Sequence, residues 1–198
     1  VIGECLEQLR CDGWDPEASM EASGRAVRAA GVAGIAVLYP HTVRRAGPEA
    51  IVEKAGESGF AAVLVPGAEA ALKAAVCAAC SERGLDSVAF VPADTERDAV
   101  GPGMLCSSDA LIYLQTVEGP TGSEFVPDRA LADRVSRARE AGLPVALGFG
   151  IKNRQDAEAA FALGADVVVV GTAIVEAYRE GAQALSTYLR RFAPLLED

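Results

Sequence analysis

The sequence predicts an α/β fold, a parallel (β/α)8 barrel of the TIM type, with only about six βα units visible, corresponding to barrel strands 3 to 8. Three observations predict it. Six short segments rich in β-branched residues run apolar without polar alternation, as strands buried on both faces do. Helical stretches alternate with them, and strict alternation implies a parallel sheet with right-handed crossovers and helices outside. The best glycine-rich turns follow the last two strands, whereas an open doubly wound sheet carries its phosphate turn after the first.

The elements follow in order. Asp15-Pro16-Glu17 supplies a cap, a first-turn proline and an acid, predicting a helix from Asp15 to Ala30. The predicted strands are Gly34 to Tyr39, Ala61 to Pro66, Ser87 to Pro92, Ala110 to Gln115, Pro144 to Gly148 and Asp166 to Val170. The helices between them are Pro48 to Ser58, Glu69 to Arg83, a short Thr95 to Val100, Asp128 to Ala141 and Arg154 to Leu163. A last helix, Ala182 to Leu196, closes the chain. Gly59, Gly84 and Gly142 each end a helix in a left-handed residue shortly before a strand. Eight strands are expected of a barrel; two further units of about 30 residues each would bring the chain to the usual size. The shortfall is at the front, where Val1 to Ala30 is helical or irregular, and starting at Val rather than Met fits a shortened front. We expect one domain over residues 1–198, with exposed sheet edges that call for a partner or a second copy.

Composition narrows the function. The chain has 198 residues, 51% hydrophobic and 23% charged, enough for one sizeable core. A net charge of −10 excludes a basic nucleic-acid groove, so an anion must be held locally by backbone dipoles. No apolar run reaches the roughly 18 residues of a membrane span. Glu4, Glu7 and Gln8 interrupt any signal peptide, so the expected location is cytoplasmic. Five cysteines, Cys5, Cys11, Cys77, Cys80 and Cys106, form no regular framework and are expected to be reduced. Cys77 and Cys80 share one helical face and read as packed, inert thiols. The single histidine, His41, anchors no metal cluster, and neither metal nor cofactor is expected.

The chemistry-bearing motif is the pair Gly148-Phe149-Gly150-Ile151 and Val170-Gly171-Thr172-Ala173. Both are apolar runs ending in glycine where a helix begins, so backbone N–H groups of neighbouring turns can converge on one phosphate. One such turn alone is an ordinary tight bend; two in this order at the end of a barrel predict an anion site.

With these motifs in place, the chain resembles the α subunit of tryptophan synthase from about Ile2 to its last helix. Tyr113-Leu114-Gln115-Thr116-Val117-Glu118-Gly119-Pro120-Thr121-Gly122 looks like that family's sixth strand and mobile loop. Gly148-Phe149-Gly150-Ile151 and Gly171-Thr172-Ala173-Ile174-Val175 are similar to its GFGI and GSAIV segments, and Tyr39-Pro40-His41-Thr42-Val43 with Gly47 to its tyrosine-containing stretch after the third strand. The resemblance implies retro-aldol cleavage of indole-3-glycerol phosphate to indole and glyceraldehyde 3-phosphate. It implies backbone phosphate binding by Gly122, Gly150, Gly171 and Thr172. Tyr39 and Phe149 would border the substrate, and Tyr113 and Thr121 would support catalysis, Thr121 through the lid loop.

The sequence also departs from that family. The two catalytic acids of the family align ahead of Val1, so the 198 residues are expected to show little turnover. Glu4 and Glu7 read as surface carboxylates rather than replacements. Val65-Pro66-Gly67-Ala68-Glu69 replaces a proline–aspartate–leucine–proline run that meets the β subunit, and His41 replaces an asparagine. A small phosphorylated substrate is expected, with a β-like subunit or a second copy as possible partner and no nucleic acid or membrane. The alternative is a non-catalytic barrel remnant that binds a phosphorylated ligand or acts as a scaffold.

Overall fold

A computed structural model describes residues 15–95, 100–117 and 124–195. Six strands form one sheet whose spatial order follows the chain order, and the pairs β1–β2, β2–β3 and β5–β6 are parallel. The sheet and its flanking helices are the predicted barrel type. Cα proximity divides the chain into two compact units, one of Gly13–Phe90 with Gly103–Ile112, the other including Val91–Pro102 and Tyr113–Asp198.

The first unit begins with α1 (Pro16–Ala30), whose cap Asp15 accepts the Glu17 N–H at 3.0 Å through Oδ1. β1 (Ile35–Val37), α2 (Pro40–Ala46), α3 (Pro48–Ser58), β2 (Ala62–Leu64), α4 (Ala70–Arg83) and β3 (Asp86–Val91) follow. α2 lies outside the sequence expectation: only Val43 is buried in its seven residues, too short a span to show a helical period. Gly59 and Gly84 end α3 and α4 in the left-handed region as predicted. α3 packs on both α1 and α4, and a core of Val43, Ile51, Val52, Ala55, Val63 and Cys80 fills the space beneath. Each large aliphatic side chain enclosed there contributes about 1.5–3 kcal/mol.

Cys77 on α4 is joined to Cys106 in a disulfide, with Cα atoms 6.4 Å apart across a separation of 29 residues, rather than both being reduced thiols. Spacing along the sequence could not reveal this, because the fold brings Cys106, just before β4 (Asp109–Gln115), onto the helix face that carries Cys77. Cys80 does behave as read from sequence: it is free and fully buried, and burial pushes its thiol up to about 11. Cys5, Cys11, Glu4 and Glu7 lie outside the described residues.

The second unit takes the C-terminal part of β4 and then α5 (Arg129–Arg139), β5 (Val145–Gly148), α6 (Arg154–Ala162), β6 (Val167–Val169), α7 (Thr172–Arg179) and α8 (Ala182–Arg190). Leu114, Val145, Ala146 and Leu147 are fully enclosed, as expected for strands covered on both faces, and Val135 of α5 is enclosed with them. Asp128 and Asn153 cap α5 and α6 by accepting the N–H groups of Leu131 at 2.8 Å and Asp156 at 3.0 Å. Gly142, past the end of α5, has φ +75°. The closing helix is shorter than predicted. It stops at Arg190 and resumes as a 3-10 turn over Ala193–Leu195, because Pro194 has no N–H to continue the ladder. The short helix predicted at Thr95 to Val100 falls largely on residues 96–99, outside the described set; a 3-10 turn occupies Pro102–Met104.

Candidate functional site

The site is built on the C-terminal ends of β5 and β6. Their register pairs Ala146 with Val167, Leu147 with Val168 and Gly148 with Val169. Gly150 and Gly171 therefore lie two residues beyond paired positions on neighbouring parallel strands, and the two predicted turns leave the sheet side by side. Gly171, at φ −112° and ψ −80°, precedes α7, and its carbonyl accepts the N–H groups of Ile174 at 3.0 Å and Val175 at 3.2 Å. The earlier amides of α7, on Thr172 and Ala173, sit at the positive end of the helix dipole, where an anion is favoured.

The Gly148–Gly150 turn is tightly framed. Phe149 has φ +74°, a left-handed conformation held by no other non-glycine residue among those described. A Cβ on Gly148 would fall 1.9 Å from the Tyr113 hydroxyl, and one on Gly150 would fall 2.8 Å from the Phe125 main-chain nitrogen. Glycine is thus required at both places by close approach, and at Gly150 also by φ +79°. Tyr113 meets Phe149 edge to face with ring centroids 6.2 Å apart. Burial pushes the Tyr113 phenol up to about 12, so it remains a neutral hydroxyl at physiological pH.

Thr116 and Arg134, neither of them among the site residues expected from the sequence, complete this framework. The Thr116 N–H donates to Gly148 O at 3.0 Å and its hydroxyl to Phe149 O at 2.5 Å. Arg134, on α5 and buried, donates from Nη1 to Gln115 O at 3.0 Å and from Nη2 to Pro92 O at 2.7 Å. Desolvation lowers its pKa, and the charge of Asp94 opposes that shift. The available signal was its spacing: Arg134 shares the apolar stripe of Leu131, Val135 and Ala138.

The other expected site residues are distributed as follows. Tyr39 stands in the first unit at the cap position before α2, partly exposed, stacked on His41 with centroids 6.0 Å apart and planes at 21°. Thr121 and Gly122 fall on residues 118–123, outside the described set. In the first unit, the sulfurs of Cys77 and Cys106 and a carboxylate oxygen of Asp109 lie within 4.8 Å of one another. The two sulfurs are bonded to each other and offer no thiolate to a metal. Asp109 instead accepts from the Ser87 hydroxyl at 2.5 Å and from the Cys106 N–H at 2.9 Å. Among the described residues no helix is long and apolar enough to cross a membrane.

Comparisons with known proteins bear on the fold and the family. A family profile described as "Tryptophan synthase alpha chain" matches residues 16–197. The tryptophan synthase alpha chain of Haloferax volcanii is 33% identical over 158 residues, covering 77% of this chain and 57% of that protein. That of Natronomonas pharaonis is 38% identical over 131 residues, covering 66% and 47%. The chain thus spans about half the length of the curated relatives it matches. Among solved structures, a mutant tryptophan synthase alpha-subunit from Pyrococcus furiosus matches all of this chain and 80% of its own, at a TM-score of 0.81 and 23% identity. The tryptophan synthase complex from the same organism gives a TM-score of 0.79 at 22% identity, over 100% of this chain and 79% of the matched chain. Those two likenesses establish the barrel fold, and the match over residues 16–197 establishes the lineage: the chain belongs to the tryptophan synthase alpha chain family.

Proposed function

We propose that this chain carries the phosphate-holding and aromatic part of an α-type lyase of tryptophan biosynthesis, whose substrate is indole-3-glycerol phosphate. What supports the reading is the β5–β6 register, with Gly148 opposite Val169, since it starts two glycine turns from adjacent strand ends. In this reading the amides of Gly150, Gly171 and Thr172 bind the phosphate, with Gly122 added from the lid loop. Tyr39 and Phe149 border the indole and glycerol, Tyr113 backs Phe149 as a neutral hydroxyl, and Thr121 acts through the lid.

The reaction is a retro-aldol cleavage. A proton is delivered to C3 of the indole ring, and the hydroxyl on the attached carbon loses its proton. The carbon–carbon bond then breaks, with a carbonyl formed on the leaving triose phosphate. Two carboxylates serve this chemistry, one at C3 and one near the indole nitrogen. By the family resemblance the positions of these two acids align ahead of Val1. The proposed partner is a β-like subunit or a second copy, and the proposed location is cytoplasmic.

Two measurements test the proposal. Indole release from indole-3-glycerol phosphate by purified protein is expected to be slow, and rapid turnover would overturn the assignment of the acids. Calorimetric titration with glycerol 3-phosphate is expected to saturate and to be abolished by Gly171→Val. A titration unchanged by that substitution would remove the phosphate site.

A further inference from the structure

Phe149 poses a question that packing alone does not answer. An L-residue with a bulky side chain avoids the left-handed region, and such outliers persist only where surrounding contacts over-determine them. At φ +74° Phe149 stands directly before Gly150, itself at φ +79°, so two successive residues are left-handed and only the second is a glycine. Something must hold the peptide after Phe149 in place.

Thr116 makes the contact that reaches that peptide's carbonyl. The Thr116 hydroxyl donates to Phe149 O at 2.5 Å, while its own N–H donates to Gly148 O at 3.0 Å. One buried residue therefore fixes two successive carbonyls of the turn from the β4 side. In a trans peptide the C=O and the following N–H point in opposite directions. Drawing Phe149 O toward Thr116 consequently turns the Gly150 N–H away from it, and among the described residues no acceptor is recorded for that amide. The far side of the turn is closed as well: the Phe125 main chain approaches so near that a Cβ on Gly150 would sit 2.8 Å from its nitrogen. Thr116 is itself anchored, because Arg134 grips the preceding carbonyl, Gln115 O, at 3.0 Å and ties it to Pro92 O at 2.7 Å.

We propose that Thr116 is a positioning residue: its hydroxyl holds Phe149 in the left-handed conformation and thereby aims the Gly150 amide at the phosphate monoester bound by the neighbouring turns. The consequence for affinity rests on the function proposed above, whereas the conformational part stands on the contacts of Thr116 alone. A hydroxyl that merely satisfied itself in the core could donate to any nearby carbonyl. This one meets the carbonyl whose rotation would reverse the next N–H.

The test compares Thr116→Val, which keeps the shape and removes the donor, with Thr116→Ser, which keeps the donor. Crystal structures of both variants report the Phe149 conformation, and titration with glycerol 3-phosphate reports affinity. Thr116→Val is expected to move Phe149 out of the left-handed region and to weaken binding about tenfold, the scale of one lost hydrogen bond. Thr116→Ser is expected to retain both properties within about threefold of the parent. A Thr116→Val structure with Phe149 unchanged would overturn the proposal whether or not phosphate binds. Absence of binding by the parent protein would instead defeat the proposed function, leaving the Phe149 geometry to decide the role of Thr116. Parent-like affinity in Thr116→Val, with Phe149 displaced, would overturn the link between the two.

Discussion

Replacing Cys106 with serine should unfold this protein at markedly lower denaturant, and the loss can be worked from the chain. The Cys77–Cys106 bond closes a loop with a sequence separation of 29, containing all of β3. In the chain-entropy treatment the cross-link removes about 12 cal/mol/K from the unfolded ensemble, or about 3.6 kcal/mol at 25 °C. Serine keeps the main-chain N–H that Asp109 accepts at 2.9 Å, so the substitution leaves that buried carboxylate its partners. With a urea slope of about 2 kcal/mol/M, the midpoint should fall by nearly 2 M. The assay is equilibrium urea unfolding of parent and Cys106→Ser, each with and without reductant. Reductant should bring the parent down to the variant and leave the variant unmoved. Coincident midpoints for oxidised parent and variant would refute the argument.

Two further outcomes follow from the site and its supports. Gly150→Ala puts a Cβ 2.8 Å from the Phe125 nitrogen in a residue at φ +79°. Left-handed strain of about 1–2 kcal/mol plus crowding of about 1–3 kcal/mol should lower unfolding stability by about 2–5 kcal/mol; a parent-like midpoint would contradict the tight framing of the turn. Asp166 accepts the Val145 N–H and an Arg139 Nη1 donor, each at 2.9 Å, and these hold its carboxyl below the usual range, the main-chain bond most strongly. Its stabilising contribution should be present above the ordinary carboxylate pKa of about 3.9 and be lost as pH falls through the depressed folded value. Because the pair is largely exposed, the difference from Asp166→Asn should stay under about 1 kcal/mol, and a gap that widened on acidification would reverse the sign.

The sheet could be read from the sequence because its strands are short, mostly apolar runs, five of them beside a glycine or proline, and the six runs became the six strands. Helix ends were readable for the same local reason: Asp15, Asp128, Gly59 and Gly84 act on their immediate neighbours. α2 escaped because seven residues with one buried side chain carry no period. The disulfide escaped because Cys77 and Cys106 meet only through the fold, at a sequence separation of 29. Thr116 carries no signal of its role in the residues around it. Its importance lies in which carbonyl its hydroxyl meets, and that is set by β4 lying beside β5, a property of the sheet order rather than of any local pattern.

The central claim, that amides of two adjoining turns bind one phosphate, is tested most directly by amide NMR of the labelled protein titrated with glycerol 3-phosphate. The resonances of Gly150, Gly171 and Thr172 should shift together along a single saturable isotherm. Shifts at only one of the two turns, or none at either while other residues respond, would contradict it.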